Sequence, residues 1–371
     1  MDEIAAIHSA NLCNEIRTRG SGLAKNAVSA RDVAALAGVS RAAVSRCFTP
    51  GASISAETRA KILKAADQLG YQVNRLASGL IRNETGLVAL IASDIATPYR
   101  SELLAALTEA LQQAGKVALV INTDRSDDSV EHALRQAISY RTDAAVFLSG
   151  MPARSLAETC LKNGMRLVLI NRDEERPGSL RLRLQDAEAG RRAVAILIAA
   201  GCRRLALASS AADTPSLTER ASGFREAARA AGIDWIEERR GATCYETGQE
   251  LGLSLLARPD RPDGIFCTTD LMACGVMDAA RWRLGLRIPQ DVSLIGFDDI
   301  AQAHWDSYAL TTFRQPIDRI AARAVAWLSA TAAPEDPAET LFEPALVMRG
   351  SVARIAPPDP GGIRPSDDGR R

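Results

Sequence analysis

Histidine is scarce: His8, His132 and His304 are the only three in 371 residues, and none sits in a catalytic or metal-binding motif. The phosphate-cradling patterns GxGxxG and GxxxxGK[ST] are missing, as are HExxH and GxSxG. Each pattern exists because a chemistry demands it: close backbone approach to phosphate, two imidazoles one helical turn apart, or a serine on a strained turn. Their absence removes the commonest enzyme classes, so no enzyme and no cofactor is expected. Cysteines 13, 47, 160, 202, 244, 267 and 274 are scattered, odd in number and without a CxxC pair. They read as small apolar core residues, with no disulfide or metal. No apolar run approaches the roughly 20 residues of a membrane span. Residues 1–26 carry Asp2, Glu3, Glu15, Arg17 and Arg19 with no secretory apolar stretch, which leads us to expect a cytoplasmic protein.

What is present is unevenly distributed. The formal net charge is zero, yet residues 25–82 hold nine basic side chains against three acidic ones, a local net of +6. A small basic module on a larger acidic body suggests a polyanion partner for the module alone.

Residues 1–26 show no periodicity and read as a flexible extension. Helical signals then crowd together. Ser29 precedes an apolar stripe at Ala30, Val33, Ala34 and Ala37, and Gly38 stands where a left-handed stop is needed. Ser40 opens a second helix with Ala43, Val44, Cys47 and Phe48 inward. Ser55 opens a third, burying Thr58, Ile62, Ala65, Ala66 and Leu69 before Gly70. From Gly86 onward apolar strand candidates at 87–91, 117–121, 144–148, 167–170, 205–208, 265–267 and 292–295 alternate with amphipathic helices. That alternation predicts parallel sheets covered by helices. Residues 355–371, rich in Pro, Gly, Asp and Arg, read as a disordered tail.

Two short helices joined by a Gly-containing turn are the helix-turn-helix plan. With Ala43, Val44, Cys47 and Phe48 inward, Arg41, Ala42, Ser45 and Arg46 face outward. Arginines on such a helix can bond guanine edges bidentately, each for about 1–3 kcal/mol of discrimination. Ser29, Ser40 and Ser45 can offer hydroxyls and helix N-terminal amides to phosphates.

The run from Asp32 through Gly38, Ser40, Val44 and Arg46, followed by residues 54–59 and by Leu69, Gly70, Tyr71 and Asn74, resembles the headpiece of the LacI/GalR family of transcription regulators. The resemblance implies an all-α headpiece over 27–73, a hinge helix and linker over 74–85, and a two-lobed α/β effector domain over 86–354 of the periplasmic-binding-protein-like (type I) class. It implies base reading by Arg41 and Ala42 with support from Arg46, backbone or minor-groove contact from Tyr71 and Asn74, and a minor-groove wedge at Leu80. Two departures fall in the hinge: Val73 replaces a proline, and Gly79 replaces a better helix former at about 1 kcal/mol of helix stability.

Along the effector domain the resemblance is carried by residues 93–99, by 184–186, by the Arg-x-x-Gly-Phe run Arg220, Gly223 and Phe224, by residues 269–273, by 296–299 and by 310–316. Lobe 1 is expected at 86–183 and 314–333, and lobe 2 at 184–312 and 340–354, with crossings near Leu184, near Thr312 and within 333–340. Parallel sheets bind ligands beyond the carboxyl ends of their strands. There the expected effector contacts are Asp270 and Arg220, then Asp186 and Arg172, with Tyr99 and Trp305 as stacking surfaces. Asp298 and Asp299 read as an interlobe turn. Thr243 stands where the family commonly places a stacking aromatic, which disfavours a purine. The expected protein is a homodimeric repressor of carbohydrate catabolism that binds pseudo-palindromic operator DNA with a central CG step, under a sugar, sugar acid or sugar phosphate. A sugar-transport solute-binding protein is the alternative, opposed by the basic headpiece.

Overall fold

The computed structural model describes residues 28–49, 51–73, 84–124, 126–148, 154–172, 174, 178–330 and 338–353. Residues 1–26, the hinge positions Asn74 and Leu80, and the tail 355–371 lie outside the described residues. Contacts divide the chain into two units, one up to Thr85 and one from Gly86.

The first unit holds three helices: α1 (Ala30–Ala37), α2 (Arg41–Cys47) and α3 (Ala56–Leu69). Their ends follow from local chemistry. Asp32 accepts hydrogen bonds from the Ser29 amide (2.9 Å) and hydroxyl (2.8 Å), closing the start of α1. Those bonds hold the Asp32 carboxyl below its ordinary range. Gly38 ends α1 at φ 66°, a left-handed conformation that disfavours a Cβ. Ser40 and Ser55 accept the amides of Ala43 and Thr58, each at 3.2 Å. Val33, Ala34, Val44, Cys47, Ile62, Ala65 and Ala66 form the core, with Ala43, Phe48 and Leu69 packed against it.

In the second unit the chain alternates β1 (Leu87–Ser93), α4 (Pro98–Gln113), β2 (Val117–Thr123), α5 (Asp127–Ser139), β3 (Ala144–Phe147), α6 (Arg154–Lys162), β4 (Arg166–Ile170) and β5 (Ser179–Leu184). It continues with α7 (Asp186–Ala199), β6 (Arg204–Ser210), α8 (Pro215–Ala230), β7 (Asp234–Arg240), α9 (Tyr245–Leu256), β8 (Gly264–Cys267), α10 (Asp270–Asp278), β9 (Ser293–Asp298) and β10 (Thr311–Arg314). Helix α11 (Ile317–Ser329) and strands β11 (Ala338–Phe342) and β12 (Ala345–Val347) complete it.

Two six-stranded sheets result, ordered β11-β5-β4-β3-β1-β2 and β12-β10-β9-β8-β6-β7. The first is parallel throughout; in the second only β12 runs antiparallel, against β10. Central strands β1, β3, β8 and β9 are buried almost end to end, as strands covered on both faces must be. The chain passes between lobes at Gln185, again at Gln315–Pro316, and finally at Glu343–Pro344. That last passage lies beyond the 333–340 expected, because β11 pairs with β5 and so stays in the first lobe through Phe342. Helix α7 begins at Asp186, directly after the passage at Gln185.

Helices α7 and α8 meet at two glycines. A Cβ on Gly190 would stand 2.2 Å from the Arg220 carbonyl oxygen, and one on Gly223 1.8 Å from that of Ala187. Only glycine permits this backbone approach, and it brings Asp186 on α7 beside Arg220 on α8.

Candidate effector cleft and nucleic-acid face

On α2, Arg41, Ala42, Ser45 and Arg46 are exposed, whereas Val44 and Cys47 are buried. The outward face is thus two guanidiniums, a hydroxyl and a methyl, with Arg46 Nε folded toward the Ala42 carbonyl at 3.4 Å. Arg59 donates to the Cys47 carbonyl at 2.9 Å and ties α3 to the end of α2. Ser29 and Ser40 serve as helix caps, so their hydroxyls already have partners. Tyr71 is half-buried, its ring 5.7 Å from that of Phe48.

In the second unit a cavity of about 110 Å³ opens between the lobes. The first lobe supplies Thr97, Pro98, Tyr99, Arg100, Leu148, Asn171 and Arg172. The second supplies Thr214, Ser216, Leu217, Arg220, Thr243, Thr269, Leu271, Asp298 and Ile300, and the crossing supplies Gln315. These positions follow strand ends β1, β3, β4, β6, β8 and β9, where the parallel topology leaves a crevice.

Arg220 is the best-anchored side chain of the cavity. Its Nε donates to Asp186 Oδ1 at 2.7 Å, its Nη1 to the Thr268 carbonyl at 2.8 Å, and its guanidinium lies 3.4 Å from the Phe297 ring centroid. Asp186 is buried behind it and does not line the cavity; burial raises its carboxyl pKa against the pull of Arg220. Asp298 Oδ1 accepts from Gln315 Nε2 at 2.6 Å and lies 3.9 Å from Arg220 Nη1. Burial pushes its pKa up to about 6, with Arg220 opposing. Asp298 also holds φ at 123°, a strained conformation for a residue with a side chain.

Tyr99 is half-buried at the cavity wall and its hydroxyl accepts from Asn171 at 3.4 Å; burial raises its pKa. Arg172 and Arg100 both donate to the Leu148 carbonyl. Three buried polar atoms in the lining have no hydrogen-bond partner among the described residues: Asn171 Oδ1, Thr269 Oγ1 and Gln315 Oε1. An unmet buried polar atom costs about 1–3 kcal/mol, so these three leave acceptors around one cavity open to a bound molecule or to water.

Besides Asp186, two further expected contacts are not brought to the lining of this cavity. Asp270 is fully buried, accepting from the Ile300 amide at 3.0 Å and the Thr312 hydroxyl at 2.5 Å. It ties α10 to the loop after β9 and to β10, and burial with nearby Asp298 pushes its pKa up to about 8. Trp305 is 54% exposed and stacks on Tyr308 away from the lining.

Residues 29–74 match the family described as "Bacterial regulatory proteins, lacI family", and residues 194–352 match "Periplasmic binding protein-like domain". The HTH-type transcriptional repressor PurR of Pasteurella multocida (strain Pm70) is 30% identical over 330 residues, covering 87% of this chain and 98% of that protein. The chain belongs to the LacI family. It is a DNA-binding transcription regulator and not an enzyme. Among solved structures, the Lac repressor dimer bound to operator and the anti-inducer ONPF superposes with a TM-score of 0.77 at 24% identity, covering 87% of this chain and 98% of that one. The CelR–cellobiose complex gives 0.63 at 28% identity, covering 87% and 99%. No helix among the described residues is long and apolar enough to cross a membrane.

Asp298, Thr269, Gln315, Asn171 and Arg100 were not among the expected contacts of this LacI-family chain. Asp298 carried a usable signal, since it ends an apolar strand at the carboxyl edge of a parallel sheet, where ligands bind.

Proposed function

We propose that this regulator is a cytoplasmic, homodimeric repressor of carbohydrate catabolism genes whose operator affinity is set by a sugar or sugar derivative in the interlobe cleft. The observation carrying the reading is the trio Asn171 Oδ1, Thr269 Oγ1 and Gln315 Oε1, unmet at one cavity beside Asp298. Two amide oxygens and a carboxylate want O–H donors, and a polyhydroxylated ligand offers several at once. A similar chain, CelR, is known in complex with cellobiose. A nucleobase fits less well, because Tyr99 is the single aromatic side chain in the lining.

Arg41 and Ala42 are assigned to base edges, Arg46 and Ser45 to their support, and the caps Ser29 and Ser40 to phosphates. Tyr71 and Asn74 are assigned to the DNA backbone or minor groove, and Leu80 to the minor groove of a central CG step. For the dimer, α4 and the turn before it form a shallow groove in which Ile95, Leu104 and Ala105 lie among Ser101, Thr108, Glu109 and Gln112, and the neighbouring edge strand β2 exposes Val117 and Val120. A similar structure is that of a dimer on operator. Ligand and operator affinities are then coupled reciprocally through lobe closure. The exposed basic face of α2 supports a regulator over a transport solute-binding protein.

The test is selection of DNA sites from random and genomic fragments at stated salt, followed by a ligand panel on the recovered site. A pseudo-palindrome with a central CG step, released or tightened by a sugar, supports the reading. An operator indifferent to every sugar and sugar derivative overturns the effector assignment.

A further inference from the structure

Ser29 of α1 is bonded to Asp32, and the other six serine and threonine N-caps of the described helices fall into two groups. Ser40, Ser55 and Ser126 each accept a first-turn amide at 3.2 Å, as such residues ordinarily do. Thr97, Thr214 and Thr269 hold the same extended N-cap backbone at the starts of α4, α8 and α10, yet none accepts an amide. All three line the cleft. Three helix N-termini, each the positive end of a backbone dipole and none capped by its own N-cap side chain, therefore open on one cavity.

An independent observation points to a ligand at the same place. The Thr269 hydroxyl is buried without a partner among the described residues, in a residue only 8% exposed. Gln315, 3% exposed, leaves its Oε1 unmet there too. Among the described residues, three guanidiniums, of Arg100, Arg172 and Arg220, line the cavity with one carboxylate, that of Asp298.

Resting on the cleft being the effector site, we propose that the effector is a polyhydroxylated anion. Its carboxylate or phosphate is held by the uncapped first turns of α4, α8 and α10 with the guanidiniums, while its hydroxyls donate to Asp298 and Gln315 Oε1. The uncapped turns are what a neutral sugar would waste: an anion accepts several amide and guanidinium donors at once, and each such bond is charge-assisted.

The test heats the full-length protein in sodium phosphate and in sodium chloride at matched ionic strength and pH, alongside Thr269→Val and Arg172→Gln. Titrations with gluconate, glucose 6-phosphate and glucose complete it. Phosphate is expected to raise Tm by about 2 °C or more over chloride, with the gain lost in both variants. At least one charged sugar is expected to bind ten times or more tighter than glucose. Equal stabilisation by chloride, a phosphate effect surviving in both variants, or glucose binding as tightly as its charged counterparts overturns the anion assignment. The cleft reading fails separately. A neutral sugar that shifts operator affinity keeps that reading and sinks the anion, whereas a charged sugar that binds the wild-type cleft without shifting operator affinity keeps the anion and sinks the reading.

Discussion

Asp270 and Gly296 share one space: a Cβ built on Gly296 would stand 2.1 Å from Oδ1 of Asp270. The buried carboxylate occupies the room a side chain on β9 would need. From there it holds the Ile300 amide and the Thr312 hydroxyl. Gly296→Ala is therefore expected to lower stability by about 1–3 kcal/mol through overpacking, read as a lower urea midpoint. A midpoint unchanged from wild type would show that Asp270 moves aside freely.

Burial raises both Asp270, to about 8, and Asp298, to about 6. The native state thus keeps protons that the unfolded chain releases above about pH 4. Stability should fall as pH rises through those raised values. Thermal melts of the ligand-free protein are expected to show Tm declining from pH 5 to 8, and Asp270→Asn should flatten the portion above pH 6. A Tm rising over that window would contradict the assignment.

Breaking the buried pair between Asp186 and Arg220 leaves the guanidinium only the more distant carboxylate of Asp298, at 3.9 Å, as counter-charge. Asp186→Asn is expected to cost about 3–5 kcal/mol, and Asp186→Leu combined with Arg220→Met less than the sum of its parts. A double-mutant cycle by chemical denaturation measures the coupling. Additive losses would mean that Arg220 draws its support mainly from the Thr268 carbonyl and the Phe297 ring.

For the headpiece, Arg41→Ala is expected to weaken operator binding by about 1–3 kcal/mol, roughly 5- to 150-fold, and to relax sequence preference at one base pair per half-site. Ligand-induced stabilisation of the effector domain should persist. Uniform weakening on all DNA would reassign Arg41 to a phosphate contact.

Much of this architecture was legible because its signals are local. The caps and stops of α1–α3 lie within four residues of the helices they bound, and the apolar runs of β1, β3, β8 and β9 announce strands buried on both faces. Strand β7 escaped notice because it is an edge strand carrying Glu237, Glu238, Arg239 and Arg240. Strand β5 escaped because Arg181 and Arg183 interrupt its leucines, and their acidic partners, Glu339 on β11 and Glu219 on α8, lie far along the chain. The site shows the same division. Arg220 was found from a short motif, while Asp298, read as a turn, lines the cavity and the expected Asp270 does not. Their difference depends on which strand ends at the cavity, a property of sheet order that no local spacing encodes.

The last passage between lobes has a consequence for synthesis. Strands β11 and β12, separated by only Glu343 and Pro344, supply one border of each sheet. A ribosome that has emerged only through Ser329 has produced two sheets that each still want a border, leaving β5 and β10 as open templates. Both lobes close within the same few codons, so premature termination upstream of Ala338 yields not one finished lobe and one broken one, but two sticky halves destined for proteolysis or aggregation.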